Sequence, residues 1–187
     1  MNKKNGGAFV FWFTGLSGAG KTTITDCVAK ELTNRGQKVK VFDGDVVRRQ
    51  FHRHLGFCPE DIRENNRVIA EYCRKEMLEA DYIFVPIISP FADSRQAARE
   101  VIGETFRLVY VKTSLKEVKR RDTKGLYQKA LAGQIQNFIG IDPNVPYEPP
   151  LNADLVLIRK KRPLNIQPLS FWNISTSCRK KQHLSRV

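Results

Sequence analysis

The 187-residue chain has few cysteines: Cys27, Cys58, Cys73 and Cys178 are scattered, with no CxxC pair and no His/Cys spacing suited to zinc. That excludes a disulfide scaffold and a structural zinc module, and it fits a reduced, cytoplasmic protein. No apolar run approaches the ~20 residues needed to span a bilayer. The opening stretch Met1–Gly7 is too short and polar to lead a signal peptide, so no membrane partner is expected. Acidic residues are absent from 159–187, which hold eight Lys and Arg. Without that segment, 24 basic residues face 19 acidic ones, so most of the formal +13 charge belongs to the tail and the body stands at only +5. A mildly basic body suits a protein that binds polyphosphates, whereas the tail alone can attract anions non-specifically. No specific nucleic-acid partner is expected.

What is present alternates between strand and helix signals, the pattern of a parallel sheet covered by helices on both faces. Ala8–Phe13 is a continuous apolar run and reads as a buried central strand. A helix is predicted from Thr22 to about Asn34, stopped by Gly36. Val39–Phe42 is the second strand, ending at Asp43. A long helix is predicted from about Glu64 to Glu79, because Ile69, Tyr72, Cys73, Met77 and Ala80 recur at helical spacing. Asp81–Ile88 is the third strand, Ser94–Gly103 a helix, Phe106–Val111 the fourth strand, Leu115–Arg121 a helix and Leu155–Ile158 a last short strand. Residues 123–150, rich in Gly, Pro, Lys and Tyr, suit a mobile lid. The expected organisation is one α/β domain over 1–158 and a basic, poorly ordered or divergent tail over 159–187.

Gly15-Leu16-Ser17-Gly18-Ala19-Gly20-Lys21-Thr22 matches G-x-x-x-x-G-K-[ST] between an apolar strand and a helix. Its glycines let backbone N–H groups converge on phosphate oxygens, and the helix N-terminus adds its positive end. Lys21 is expected to neutralise the terminal phosphates of ATP and the Thr22 hydroxyl to hold Mg²⁺. Asp43-Gly44-Asp45 ends the second strand, the side that faces the ligand crevice in a doubly wound sheet. Its carboxylates can order the metal's water shell or accept a proton from an attacking hydroxyl, or else simply form a turn. Arg48, Arg49, Arg53, Arg63 and Arg67 offer guanidinium forks for phosphate or sulfate, against the plainer reading of a solvated helix face. Ser89-Pro90 can touch substrate or cap a turn.

Together these segments resemble the adenylylsulfate kinases, over roughly residues 8–158. The resemblance rests on GLSGAGKTT at 15–23, DGD at 43–45, LGF at 55–57, PED at 59–61, Glu64-Asn65, ISP at 88–90, Asp93 with Arg95, RDxKGLY at 121–127, AG at 132–133 and F-x-GID at 138–142. It implies a P-loop fold of the three-layer α/β type with a mobile lid, and transfer of the γ-phosphate of MgATP to the 3′-hydroxyl of adenosine 5′-phosphosulfate, in a homodimer. By position it implies a catalytic set of Asp43 as base, Lys21 and Ser89. The nucleotide site would comprise Gly15, Leu16, Ser17, Gly18, Ala19, Gly20, Lys21, Thr22, Thr23 and Arg121, and the metal site Thr22 and Asp45. The acceptor site would take in Asp45, Arg48, Phe57, Arg63, Asn65, Ile88, Ser89, Lys124 and Phe138, with Phe57 and Phe138 offering aromatic faces to the adenine. Ser89 matches a serine described in the family as a phosphoserine intermediate, but nothing beside it in sequence would activate it, which favours direct in-line transfer.

The chain also departs from the family pattern. Val46 stands where an Asn is usual, Ile62 where an Arg follows P-E-D, Ile87 where a Phe precedes I-S-P, Leu131 where an Arg precedes A-G, and Ile139 where a Thr follows Phe138. The donor loop is intact, and the changes at Val46 and Ile62 fall in the acceptor-binding segments. Three other readings therefore stay open: a related kinase acting on a cytidine diphosphate derivative, a nucleic-acid-binding P-loop protein, and a protein that binds ATP without catalysis.

Overall fold

The computed structural model describes residues 7–44, 47 and 55–158. Asp45, Val46, Arg48, Arg49, Arg53, both histidines at 52 and 54, and the tail 159–187 lie outside the described residues.

Five strands carry the architecture: β1 (Phe9–Thr14), β2 (Val39–Val41), β3 (Tyr82–Val85), β4 (Phe106–Lys112) and β5 (Leu155–Ile158). They form one parallel sheet in the order β2-β3-β1-β4-β5, so the most apolar run of the sequence occupies the centre. Alternation along the strands sorts side chains to two faces. Val10, Trp12, Ile83, Val85, Phe106 and Leu108 point to one face. There they meet Ile69, Ala70 and Cys73 of helix α2 (Pro59–Glu76) and Ala98 and Ile102 of helix α3 (Ala92–Ile102). Phe11, Phe13, Tyr82, Phe84, Val109 and Val111 point the other way, onto Ile24, Val28 and Leu32 of helix α1 (Lys21–Asn34). Burial of each such side chain contributes roughly 1.5–3 kcal/mol, and the middle residues of β1 are fully enclosed. Two short helices, α4 (Leu115–Arg121) and α5 (Leu126–Leu131), lie beyond β4.

Several boundaries differ from the sequence expectation, each for a local reason. Helix α2 begins at Pro59 instead of about Glu64, because the Cys58 sulfur accepts the Asp61 N–H at 3.4 Å and proline suits the first helical position. Glu60 and Asp61 also favour the positive end of that helix. The helix stops at Glu76, short of Glu79. Strand β3 ends at Val85 and not Ile88, since Pro86 has no N–H to donate to the ladder. Strand β2 stops at Val41, although the Phe42 N–H still reaches the Phe84 carbonyl at 2.8 Å. Helix α3 starts at Ala92, two residues before the expected Ser94.

The expected lid segment contains α5 and, after it, a loop closed on itself. The Asp142 carboxylate accepts the N–H groups of Asn137 (3.1 Å) and Asn144 (2.9 Å), and the Gly140 N–H reaches the Val145 carbonyl at 2.9 Å.

Candidate active site

A cleft of about 640 Å³ opens at the carboxyl ends of β1, β2 and β3. Its floor is the turn from β1 to α1. Gly15, Gly18 and Gly20 adopt positive φ angles of 148°, 70° and 102°. At Gly15 a Cβ would lie 2.7 Å from the Val111 carbonyl oxygen, so this position excludes any side chain. Ser17, Gly18, Gly20, Lys21, Thr22 and Thr23 line the cleft at the N-terminus of α1, where the positive end of the helix dipole favours an anion. The Lys21 ammonium is buried and folds back to the carbonyls of Gly15 (2.7 Å) and Leu16 (3.0 Å), which hold it over the turn.

Asp43 and Gly44 form the wall at the end of β2. A Cβ on Gly44 would come within 2.8 Å of Ile87 Cγ2, so the two strand ends approach more closely than a side chain would permit.

The opposite wall comes from the segment after β3 and from α2. Ser89 is buried and holds φ at 42°, a conformation that costs a non-glycine residue on the order of 1–3 kcal/mol. Its hydroxyl oxygen accepts the Trp12 indole N–H (3.1 Å) and the Asn66 amide (3.0 Å). The Thr14 hydroxyl donates to the carbonyls of Ile88 (2.8 Å) and Ser89 (3.1 Å), which ties β1 to the same turn. Asn65 lines the cleft while almost fully buried, and its Oδ1 has no hydrogen-bond partner among the described residues. An acceptor in that state costs about 1–3 kcal/mol unless a donor enters the cleft to meet it. Ile62 also lines the cleft, but its side chain packs with Phe91, Ile139 and Val145.

The roof is the segment after α4. Thr123, Lys124, Leu126 and residues 135–139 face the cleft. Tyr127 and Phe138 meet edge to face at 5.0 Å, and the Tyr127 hydroxyl donates to the Ser17 carbonyl at 3.0 Å, so the roof is bonded directly to the phosphate turn. Burial raises the Tyr127 phenol above its ordinary range, so it stays protonated and able to donate.

Of the residues singled out in sequence, Ser17, Gly18, Gly20, Lys21, Thr22, Thr23, Asp43, Phe57, Asn65, Ile88, Ser89, Lys124 and Phe138 converge on this one cleft. Gly15, Leu16 and Ala19 build the turn beneath it. Two others are placed elsewhere. Arg63 pairs with Asp93 at 3.0 Å and stacks over the Phe91 ring at 4.3 Å, away from the cleft lining. Arg121 pairs with Glu117 at 2.7 Å, also outside the lining. Asp45 and Arg48 lie outside the described residues.

The sequence reading missed Trp12, Thr14 and Asn66 as supports of the site. Two signals were available. Asn66 sits three residues before Ile69 and seven before Cys73, a polar side chain on an apolar helical face. Trp12 carries an N–H into the middle of a buried strand, where it must find an acceptor.

The matching family model is described as adenylylsulphate kinase and spans residues 7–158. An adenylyl-sulfate kinase of Paraburkholderia xenovorans is 44% identical over 156 residues, covering 83% of this chain and 86% of that one. One from Halothermothrix orenii is 50% identical over 147 residues, covering 78% and 77%. Among solved structures, the APS kinase of Mycobacterium tuberculosis in complex with AMPPNP and APS superimposes with a TM-score of 0.81 at 37% identity, covering 91% of this chain and 99% of that one.

Proposed function

The chain belongs to the adenylylsulfate kinase family, and on that premise we propose that it uses ATP to phosphorylate the 3′-hydroxyl of adenosine 5′-phosphosulfate, as in sulfate assimilation. The observation that carries this reading is one cleft uniting an intact phosphate turn (Ser17–Thr23) with a second wall of Asp43, Phe57, Asn65, Ser89 and Phe138. The first part suits a nucleoside triphosphate donor. The second suits a nucleotide acceptor between two aromatic faces.

The roles divide accordingly. The N–H groups of the turn and Lys21 hold the transferring phosphoryl group and offset the charge that spreads over its oxygens. The Thr22 hydroxyl offers a hard oxygen donor at the cleft, which fits Mg²⁺. Among the described residues no cluster of three or more His, Cys, Asp or Glu side chains could hold a metal ion. Bound at Thr22, the ion would neutralise phosphate charge. Asp43, which lines the cleft, takes the role of base for the proton of the attacking hydroxyl in this reading. Phe57, half exposed at the rim, and Phe138 under the roof flank the acceptor base. Ser89 is not the nucleophile in this scheme. Its oxygen already accepts two N–H groups and nothing beside it in sequence would activate it, which favours direct passage of the phosphoryl group to the substrate hydroxyl.

Family resemblance also supports a homodimer and a cytoplasmic setting. Among the described residues no helix is long and apolar enough to cross a membrane.

The test is turnover of purified protein with MgATP and a panel of nucleotide acceptors. Adenosine 5′-phosphosulfate is expected to give the 3′-phosphorylated product, and Lys21→Ala to lower the rate at least 100-fold. Turnover of a cytidine diphosphate derivative in its place would refute the acceptor assignment. Near-wild-type rates for Lys21→Ala would refute the phosphate-turn assignment.

A further inference from the structure

Arg95 is a buried cation that the reading above leaves without a task. It projects from α3 and is 4% exposed. Its guanidinium donates to three carbonyl oxygens: Ser89 at 2.7 Å, Pro90 at 2.9 Å and Glu148 at 2.8 Å. Burial disfavours the charged form and lowers its pKa, against the opposing pull of nearby groups that include Glu148 and Asp93. Carbonyl oxygens alone are a poor reason to keep a charge inside a protein, since an apolar side chain would fill the space without desolvation. What a planar fork provides there is simultaneous reach to several carbonyls in fixed directions.

The three carbonyls belong to two different segments. Ser89 and Pro90 form the strained turn that lines the acceptor wall, and Glu148 closes the lid segment. Other bonds hold the end of the lid segment to the turn and to its neighbours in α3 and β1. The Glu148 N–H donates to the Pro90 carbonyl at 3.0 Å, the Ala92 N–H donates to the Glu148 carboxylate at 2.6 Å, and the Thr14 and Tyr147 hydroxyls meet at 3.0 Å. Arg95 joins both segments through one rigid planar group. None of these hydrogen bonds touches the phosphate turn.

Resting on the function proposed above, we propose that Arg95 is a positioning residue for the acceptor. Its guanidinium clamps the Ser89 turn to the base of the lid, so that the acceptor wall keeps its shape while the donor site is unaffected.

The experiment compares wild type with Arg95→Ala and Arg95→Lys. It measures KM for each substrate, kcat, the melting midpoint, and acrylamide quenching of Trp12 in a Trp172→Phe background. Arg95→Ala is expected to raise the acceptor KM at least 10-fold and to leave the ATP KM within 2-fold. Added guanidinium in the millimolar range should recover part of the lost acceptor affinity. Arg95→Lys, a point charge in place of a fork, should fall between. Because Trp12 bonds to the Ser89 hydroxyl, its quenching should increase in Arg95→Ala even without substrate. Equal rises in both KM values, an unchanged acceptor KM, or failure of both variants to fold would each overturn the proposal, leaving Arg95 an ordinary structural residue. Inactivity of the wild type toward adenosine 5′-phosphosulfate would defeat the substrate reading only. The clamp would then be judged on the quenching, where equal values for wild type and Arg95→Ala overturn it.

Discussion

Replacing Gly15 with alanine isolates the geometric demand of the phosphate turn. The residue holds φ at 148°, and an added Cβ would sit 2.7 Å from the Val111 carbonyl oxygen of β4. Two costs combine. A side chain at such a φ costs about 1–3 kcal/mol. Moving strand backbone to relieve the contact adds about 1–3 kcal/mol, as in other overpacked cores. The sum centres near ~4 kcal/mol, which for a chain of this size lowers the melting midpoint by roughly 8–16 °C. Gly36 is the control. It also has a positive φ, 75°, but nothing lies within 4 Å of its hypothetical Cβ. Gly36→Ala should therefore cost only about 1–2 kcal/mol, or roughly 2–8 °C. Thermal unfolding followed by circular dichroism measures both. If Gly15→Ala melts no lower than Gly36→Ala, the close approach to β4 is not what demands glycine, and the reasoning fails.

Two further outcomes follow from the site and its surroundings. Tyr127→Phe removes the hydroxyl that bonds the Ser17 carbonyl. The lost bond, about 0.5–1.5 kcal/mol, should weaken binding of an ATP analogue roughly 2- to 10-fold by calorimetry, and unchanged binding would remove the roof–turn link from the account. The Glu117 carboxyl is held at about 2 by hydrogen bonds from Arg120 and then Arg121, against an ordinary value of 4.5. Its contribution to stability is therefore complete above about pH 4.5 and lost as pH falls towards 2. The melting difference between wild type and Glu117→Gln should shrink across that interval, and a difference that widens on acidification contradicts it.

Much of the site was legible because it is local in sequence. The phosphate turn needs glycines, a lysine and a threonine within eight residues, and β1 and α1 on either side announce themselves by hydrophobicity. Asp43 was legible from its place at a strand end. Ser89 was singled out, but its setting depends on Trp12, 77 residues away, and Asn66, 23 residues away. Neither spacing corresponds to any local period. Arg63 shows the opposite limit. Its guanidinium looked suited to the cleft from sequence, yet in the fold it pairs with Asp93 and stacks on Phe91. The early start of α2 depends on a cysteine serving as helix cap, a role more often filled by Ser, Thr, Asp or Asn.

The sheet order has a consequence for how this chain can change. The phosphate turn hangs from β1 and the Ser89 turn from β3, and these strands are paired neighbours from Phe9 opposite Tyr82 to Trp12 opposite Val85. A further bond from the Gly15 N–H to the Ile88 carbonyl at 3.3 Å carries that ladder up to the cleft. The span between giver and receiver is thus set by the repeat of a β-sheet, a dimension that substitutions in loops cannot stretch. Residues such as Ile62 and Ile87 can vary, and with them the molecule admitted, without altering the distance a phosphoryl group must travel. Selection can revise the guest while the sheet keeps the gauge.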